Sequence, residues 1–237
     1  MHKQNLNSLS PQDREELARQ IQRYVTPTIL RQHANPPSGV HTDGTIFLSW
    51  HRNYIAGLER YLVDRGFPEW SPLPAWNPAE CIPVEFDIRI QEPCPNISFS
   101  PNFDSENLVN FRNDEDLGQA IMEIHNDVHN VVGGDMANIP TAPRAPIFWP
   151  WHSFVDDIWW DWQRLSIIVP DCIGLSRTRA SRLLISSGLT VGNVILQPHT
   201  HPPSFPQRHR HVVVDQSPEP NVRVQSGLPV DLALAIL

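Results

Sequence analysis

No stretch of the chain approaches the roughly 18 consecutive apolar residues that a spanning helix needs, so none is expected to cross a membrane. The start, MHKQNLNSLSPQDREEL, has no apolar core, and no signal peptide is visible. The expected location is therefore cytoplasmic, or outside by a route that uses no signal peptide. Cysteine is scarce. Cys81, Cys94 and Cys172 cannot all pair within the chain, so a disulfide framework is not expected. Basic charge is scarce as well. Residues 1–166 carry 12 basic and 22 acidic side chains, net −10, which argues against nucleic acid as the main partner. Residues 167–237 carry 6 and 4, net +2, only mildly basic despite His199, His201, His209 and His211. Apolar content of 40% and 19% charged residues fit a globular chain of one or two domains, and 24 prolines favour many ordered loops over one long bundle.

What is abundant is histidine in a repeated pattern. In HNDVHNVVGGDMANIPTAPRAPIFWPWHSFVDDIWWDWQ, residues 125–163, His125 and His129 stand four apart and share one face of a helix. His152 follows 23 residues later and opens a second helical run. Upstream, ILRQHANPPSGVHTDGTIFLSWHRNYIAGLERYL holds His33, His41 and His51. A single HxxxH is weak, since exposed helical histidines reach that spacing by chance. Two sets of three, each closing on a helix rich in tryptophan and aliphatic residues, describe a dinuclear metal site between packed helices. Imidazoles without thiolate suit copper, zinc, iron or nickel.

At these residues the chain resembles the tyrosinase and polyphenol oxidase family. FLSWHRNYIAGLE is similar to its first copper motif, and HNDVHNVVGGDM followed by PIFWPWHSFVDDIW to its second, the likeness covering residues 26–163. The resemblance implies a mainly α fold: a four-helix bundle around two copper ions ligated by His33, His41, His51, His125, His129 and His152. It implies dioxygen as co-substrate, a small phenol as substrate, and ortho-hydroxylation of monophenols or oxidation of catechols to o-quinones. It implies further that Asp116 and Asn126, as catalytic residues, hold a water that deprotonates a monophenol, whose own pKa is near 10. Arg52 and Glu59 match positions that fix a helix in the core, and Asp156 matches an acidic residue that orients a ligand or pairs with Arg52.

The departures are equally specific. His41 and His51 are ten apart, one residue more than is usual in the family. Trp151 stands where the family has the first of two adjacent histidines, and Ala145 replaces an aspartate of the stretch "DPxF". Leu73-Pro-Ala-Trp-Asn-Pro78 resembles "LPYWDW" with Ala75 and Asn77 changed. No cysteine lies between His33 and His41, so the thioether link of fungal and plant enzymes is not expected, which points to a bacterial type.

Along the chain, Ser10 reads as an N-cap before Pro11, with Leu17, Ile21 and Tyr24 on the apolar face of a first helix. Thr26-Pro27 restarts the pattern, with Ile29, Leu30 and His33 on the next face. His51, Ile55, Leu58 and Leu62 fall on one stripe of a helix over 46–61. Residues 79–110 and 135–145 read as loops, and Gly133-Gly134 ends the helix of His125. A first domain over 1–166 gives way to a second over 167–237 with a different period: a strand, a helix from Ser176 to Ser187, a stop at Gly188, and further strands. VPD at 169–171, Gly174, Ser176, Ala180, Leu184, Gly188-Leu189, QSP at 216–218, Gly227, Val230 and Leu232 resemble the PASTA domain, a small α+β module. That resemblance implies a peptidoglycan fragment as partner, with self-association or a cover over the copper entrance as alternatives. The insert PHTHPPSFPQRHRH departs from the PASTA pattern; its histidines read as a solvated loop or as a copper-gathering segment.

Three rivals are weighed on the residues. Zinc proteases with HxxxH place Glu directly after the first histidine as general base, where Asn126 stands here. A non-enzymatic oxygen carrier of the hemocyanin kind shares the dicopper centre but is much larger. A degenerate binding protein would have lost ligands, and all six positions are histidine.

Overall fold

The fold was described from a computed structural model, which describes residues 3–98, 101–104, 107–197 and 211–236. Two compact units emerge. One takes Met1–Asn107 and Glu115–Asp161, the other Leu108–Asp114 and Trp162–Leu237. The chain thus passes between units at 161/162 rather than at 166/167, and the second also takes the short stretch 108–114.

The first unit is built on helices whose starts are written in the sequence. Ser10 caps α1 (Pro11–Tyr24), its hydroxyl accepting from the Asp13 N–H, with Pro11 at the first helical position. Thr26 caps α2 (Pro27–Ala34) in the same way. Asp43 caps α3 (Gly44–Asp64) through the Ile46 N–H at 2.8 Å, starting it two residues before the apolar stripe does. α4 covers Asp114–Val132 and α5 Phe148–Leu165. Leu17, Ile21, Phe47, Ile55, Leu58, Trp76, Phe86 and Phe148 are essentially fully buried in this unit. No helix among the described residues is long and apolar enough to cross a membrane.

Two features of the loops were not anticipated. Cys81 and Cys94 form a disulfide, so three cysteines give one bridge and one buried thiol, Cys172. Counting excluded a framework, but it could not exclude a single staple inside 79–110. The same segment closes on itself through the Ile82 N–H to the Pro93 carbonyl, and it buries Phe86. The start of the chain is also tied down. The Leu6 N–H donates to the Ala75 carbonyl at 2.7 Å and the Ala75 N–H donates to the Gln4 carbonyl at 2.8 Å, bridging Asn5 to Ala75, and Leu6 is fully buried.

The second unit has its own core of Val169, Cys172, Ala180, Leu184, Leu189, Val213, Val224, Val230, Leu232 and Leu234. β1 (Ser166–Ile168) pairs antiparallel with β4 (Arg223–Gln225). α6 (Arg177–Ser186), capped by Ser176, ends at Gly188, whose φ of +80° suits glycine. β2 (Thr190–Leu196), β5 (Pro229–Ile236) and β3 (His211–Ser217) form a sheet in the order β2-β5-β3, parallel at the first contact and antiparallel at the second. The strand expected before the helix is β1, and the longer strands follow it, whereas β4, with three residues, is too short to show a period. His199, His201 and His209 lie outside the described residues; His211 opens β3.

Candidate metal centre

Helical spacing carries five of the six histidines into one place. His33 comes from the last turn of α2, His51 from α3, His125 and His129 from α4, and His152 from α5. His41 comes from the loop before α3. The rings of His33, His41 and His51 form a near-equilateral triangle with centroids 5.7, 5.7 and 5.9 Å apart. Those of His125, His129 and His152 form a second, at 4.4, 5.0 and 5.4 Å. The triangles meet where His51 stacks on His152 at 4.7 Å. Two groups of three have all their potential ligand atoms within 4.8 Å of one another: His33, His41 and His51, and His51, His125 and His152. His51 thus stands at the junction, and His129 joins the second set through its ring contacts.

Most rings are held by their outer nitrogen. Nδ1 of His33 donates to the Ile139 carbonyl at 2.8 Å, and Nδ1 of His129 to that of Met136 at 2.7 Å. Nδ1 of His51 donates to the Phe47 carbonyl at 2.9 Å, and Nδ1 of His152 to that of Phe148 at 2.7 Å. A carbonyl accepts only from N–H, so these four bonds fix the tautomer and leave Nε2 with a lone pair. Nε2 of His33, His51 and His129 is buried without a hydrogen-bond partner. A buried polar atom left so is costly unless something else satisfies it, and a metal ion does. Nε2 of His125 and His152 stand 2.9 Å apart. That is about the separation of two nitrogens placed at right angles on an ion with bonds of ~2.0–2.1 Å.

The electrostatics point the same way. Burial pushes His33 down to about 3 and His129 down to about 4, against weaker opposing hydrogen bonds to backbone carbonyls. Burial, reinforced by neighbouring imidazoles, holds His51, His125 and His152 well below the ordinary histidine range, and burial lowers half-buried His41. All six rings are therefore neutral near pH 7, the form in which imidazole binds a metal. The donor set is imidazole alone, which fits a borderline ion such as copper or zinc.

The sequence left the role of Asp156 open, and the structure decides it. Asp156 pairs with Arg52 and with Lys3, the only lysine of the chain, at 2.6 Å; among the described residues no hydrogen bond joins it to a histidine. The Lys3 side chain is only 7% exposed and also reaches Ser153, next to His152. Arg52 lies over the Trp159 ring at 3.8 Å. Glu59 accepts from the Leu73 N–H at 2.7 Å and so secures the LPAW segment. Trp151 is fully buried and lies nearly parallel to the His125 ring.

Asp116 and Asn126 do not meet. Both lie on α4, ten residues apart, and a helix separates such residues by about 15 Å. An aspartate and an asparagine, each reaching about 3.6 Å before a hydrogen bond of ~2.8 Å, cannot share one water across that gap. Asn126 is exposed, its Oδ1 lying 3.4 Å from Nδ1 of His125, and Asp116 sits in the first turn of the helix.

Several contributors lacked a recognisable signature. Loop 135–145 supplies a carbonyl to one histidine of each set, and a carbonyl leaves no trace in residue type. The pattern Phe-x-x-x-His, present as Phe47/His51 and Phe148/His152, was readable as a repeat. Phe47 packs on His51 and His125 (4.7 and 4.9 Å), and Phe148 on His33 and His152 (5.0 and 4.0 Å).

Comparison with known proteins places this arrangement. Residues 89–165 match the common central domain of tyrosinase. The chain is similar to the tyrosinase of Streptomyces glaucescens, 46% identical over 43 residues, which is 18% of this chain and 15% of that protein. It is similar to tyrosinase HcTyr1 of a Hahella species, 25% identical over 169 residues, 49% of this chain and 36% of that one. It is also similar to a G-type hemocyanin of Enteroctopus dofleini, 24% identical over 212 residues, 69% of this chain and 7% of that much longer protein. The matched stretch thus spans about 15% of the length of the streptomycete tyrosinases.

Proposed function

We propose that this chain is a type 3 copper protein of the tyrosinase family and a copper oxidase that uses dioxygen to oxidise small phenols, as its match to the central domain of tyrosinase supports. The observation that carries the reading is the pair of neutral imidazole triangles, five of their six rings buried, joined at His51 and His152. His33, His41 and His51 would hold one copper, and His125, His129 and His152 the other. When bound, the ions would supply the electron transfer between substrate and dioxygen. The balanced reaction converts two catechols and one dioxygen into two o-quinones and two waters.

The chain's own residues do the rest. Backbone carbonyls of Phe47, Met136, Ile139 and Phe148 hold four rings at fixed angles. Phe47 and Phe148, both fully buried, pack on the histidine rings and would keep water from the metal-facing nitrogens. Hydroxylation of monophenols is the finer proposal. With Asp116 far from Asn126, it rests on Asn126 alone, which lies exposed beside His125. A second reading, a dioxygen carrier, is favoured by the similarity to hemocyanin.

Oxygen uptake by the copper-loaded protein, given a monophenol and then the matching catechol, separates these readings. Uptake with both supports hydroxylation, and Asn126→Ala should then lose the monophenol reaction first. Uptake with catechol alone leaves a catechol oxidase. Reversible dioxygen binding without turnover establishes the carrier instead. For the second unit we propose a PASTA-like module that takes a peptidoglycan fragment, supported by its VPD and QSP residues and by α6 against the β2-β5-β3 sheet. Failure of the full chain to co-sediment with purified peptidoglycan would sink that proposal.

A further inference from the structure

α3 and α4 touch at a pair of glycines. A Cβ built on Gly118 would stand 2.2 Å from the Gly44 carbonyl oxygen, and one on Gly44 would stand 2.5 Å from the Glu115 carbonyl oxygen. Both obstacles are backbone, which cannot swing aside as a flexible side chain can. Ordinary contact begins at 3.4 Å, so any side chain here drives the helices about 1 Å apart. Neither glycine has a positive φ; Gly44 is the first residue of α3, and Gly118 sits inside α4, where glycine costs about 1 kcal/mol relative to alanine. Close approach is the reason they suit these positions.

The crossing is clamped on both sides. Glu115 accepts from the Thr45 N–H at 3.0 Å, and Gln119 donates to the Thr42 carbonyl at 3.0 Å. Gly44 precedes His51 by seven residues, and Gly118 precedes His125 by seven. Seven residues are two helical turns, so on each helix the glycine and the histidine share a face. Between the two levels lies Phe47, packed on both His51 and His125, whose rings are 5.7 Å apart. The glycine contact is thus the fixed point from which each helix carries one histidine of each set to the other.

We propose that the Gly44–Gly118 crossing sets the spacing between the two histidine triangles, making both glycines positioning residues for the metal pair. The inference rests on the two-copper reading. Displacement of about 1 Å at a reacting centre is enough to cost ~100-fold in rate, and two ions sharing a bridging ligand are more exacting still.

The test measures copper per chain, EPR spin count and melting temperature on the Cu(II)-loaded full chain. Two Cu(II) ions held close enough to share a bridge couple their spins and lose the EPR signal. Wild type is expected to bind two ions and be largely silent, while Gly118→Ala and Gly44→Ala bind two ions and lose that silence, a large part of their copper becoming EPR-visible. Leu17→Ala, which empties part of the core of α1 away from the crossing, should melt earlier yet stay silent. If Gly118→Ala does not fold, Gln119→Ala removes one clamp without adding an atom and should show a smaller rise. Two bound ions and silent spectra in the glycine variants, or in Gln119→Ala where those do not fold, overturn the proposal. A wild type that fails to bind two ions overturns the two-copper reading beneath it.

Discussion

The two histidine triangles are built to the same plan except at one corner. Each has one ring tied to a phenylalanine carbonyl four residues earlier on its own helix, His51 to Phe47 and His152 to Phe148. Each has one ring tied to loop 135–145, His33 to Ile139 and His129 to Met136. The third corners differ. His125 is buried on α4 with Trp151 parallel to its ring, whereas His41 is half-buried on a loop. The second triangle is thus fully preorganised, and the first has one corner whose position depends on a loop. Preorganised ligands lose less freedom on binding, so the second set should take metal more tightly.

That asymmetry can be broken most strongly at the junction. His51→Ala removes the ring that contacts both sets, and copper per chain is expected to fall from two towards none under conditions that load wild type. Retention of two ions would contradict the junction role. Next comes the shared loop. Gly134 has φ +61°, and a Cβ there would meet the Arg89 carbonyl oxygen at 2.3 Å, so Gly134→Ala must shift the loop that serves His33 and His129. Loss of such outer hydrogen bonds typically costs about 10–100-fold in metal affinity. The loss should appear at both sites in a competition titration; a loss at one site alone would show that the loop does not link them. The corners themselves should differ. His41→Ala should weaken only one site and by less than His33→Ala, and equal losses would erase the distinction.

A separate effect is that of pH on the metal-free protein. His33 and His129 have folded values of about 3 and about 4, below the unfolded value near 6.5, so between these limits the unfolded chain binds more protons. Stability is complete above pH 6.5 and falls as the pH drops through this window, by about 1.4 kcal/mol per pH unit for each histidine fully within it. Urea midpoints measured from pH 7 to pH 4 check this, and a flat profile would mean that the rings are not buried in solution.

The sequence was most readable where one residue type has one use. The N-caps Ser10 and Thr26, the prolines after them and the i, i+4 histidines announce helices and a shared face. His41 at ten residues before His51 looked one residue too far, yet the loop turns at Gly39 (φ +92°) and its ring joins the triangle. Roles filled by backbone or by distant pairing were not readable. The carbonyls of Met136 and Ile139 carry no residue-type signal, and Lys3 reaches Asp156 across 153 residues of chain. Asp116 shows the opposite limit. Its sequence position matched, but α4 runs unbroken from it to Asn126 and keeps them apart.

The most direct test of a paired centre is a copper titration of the full chain, followed by metal analysis after gel filtration. Two ions per chain, the first bound more tightly than the second and one retained in His41→Ala, is the predicted result. A single ion per chain, or two ions retained in both His41→Ala and His51→Ala, would contradict it.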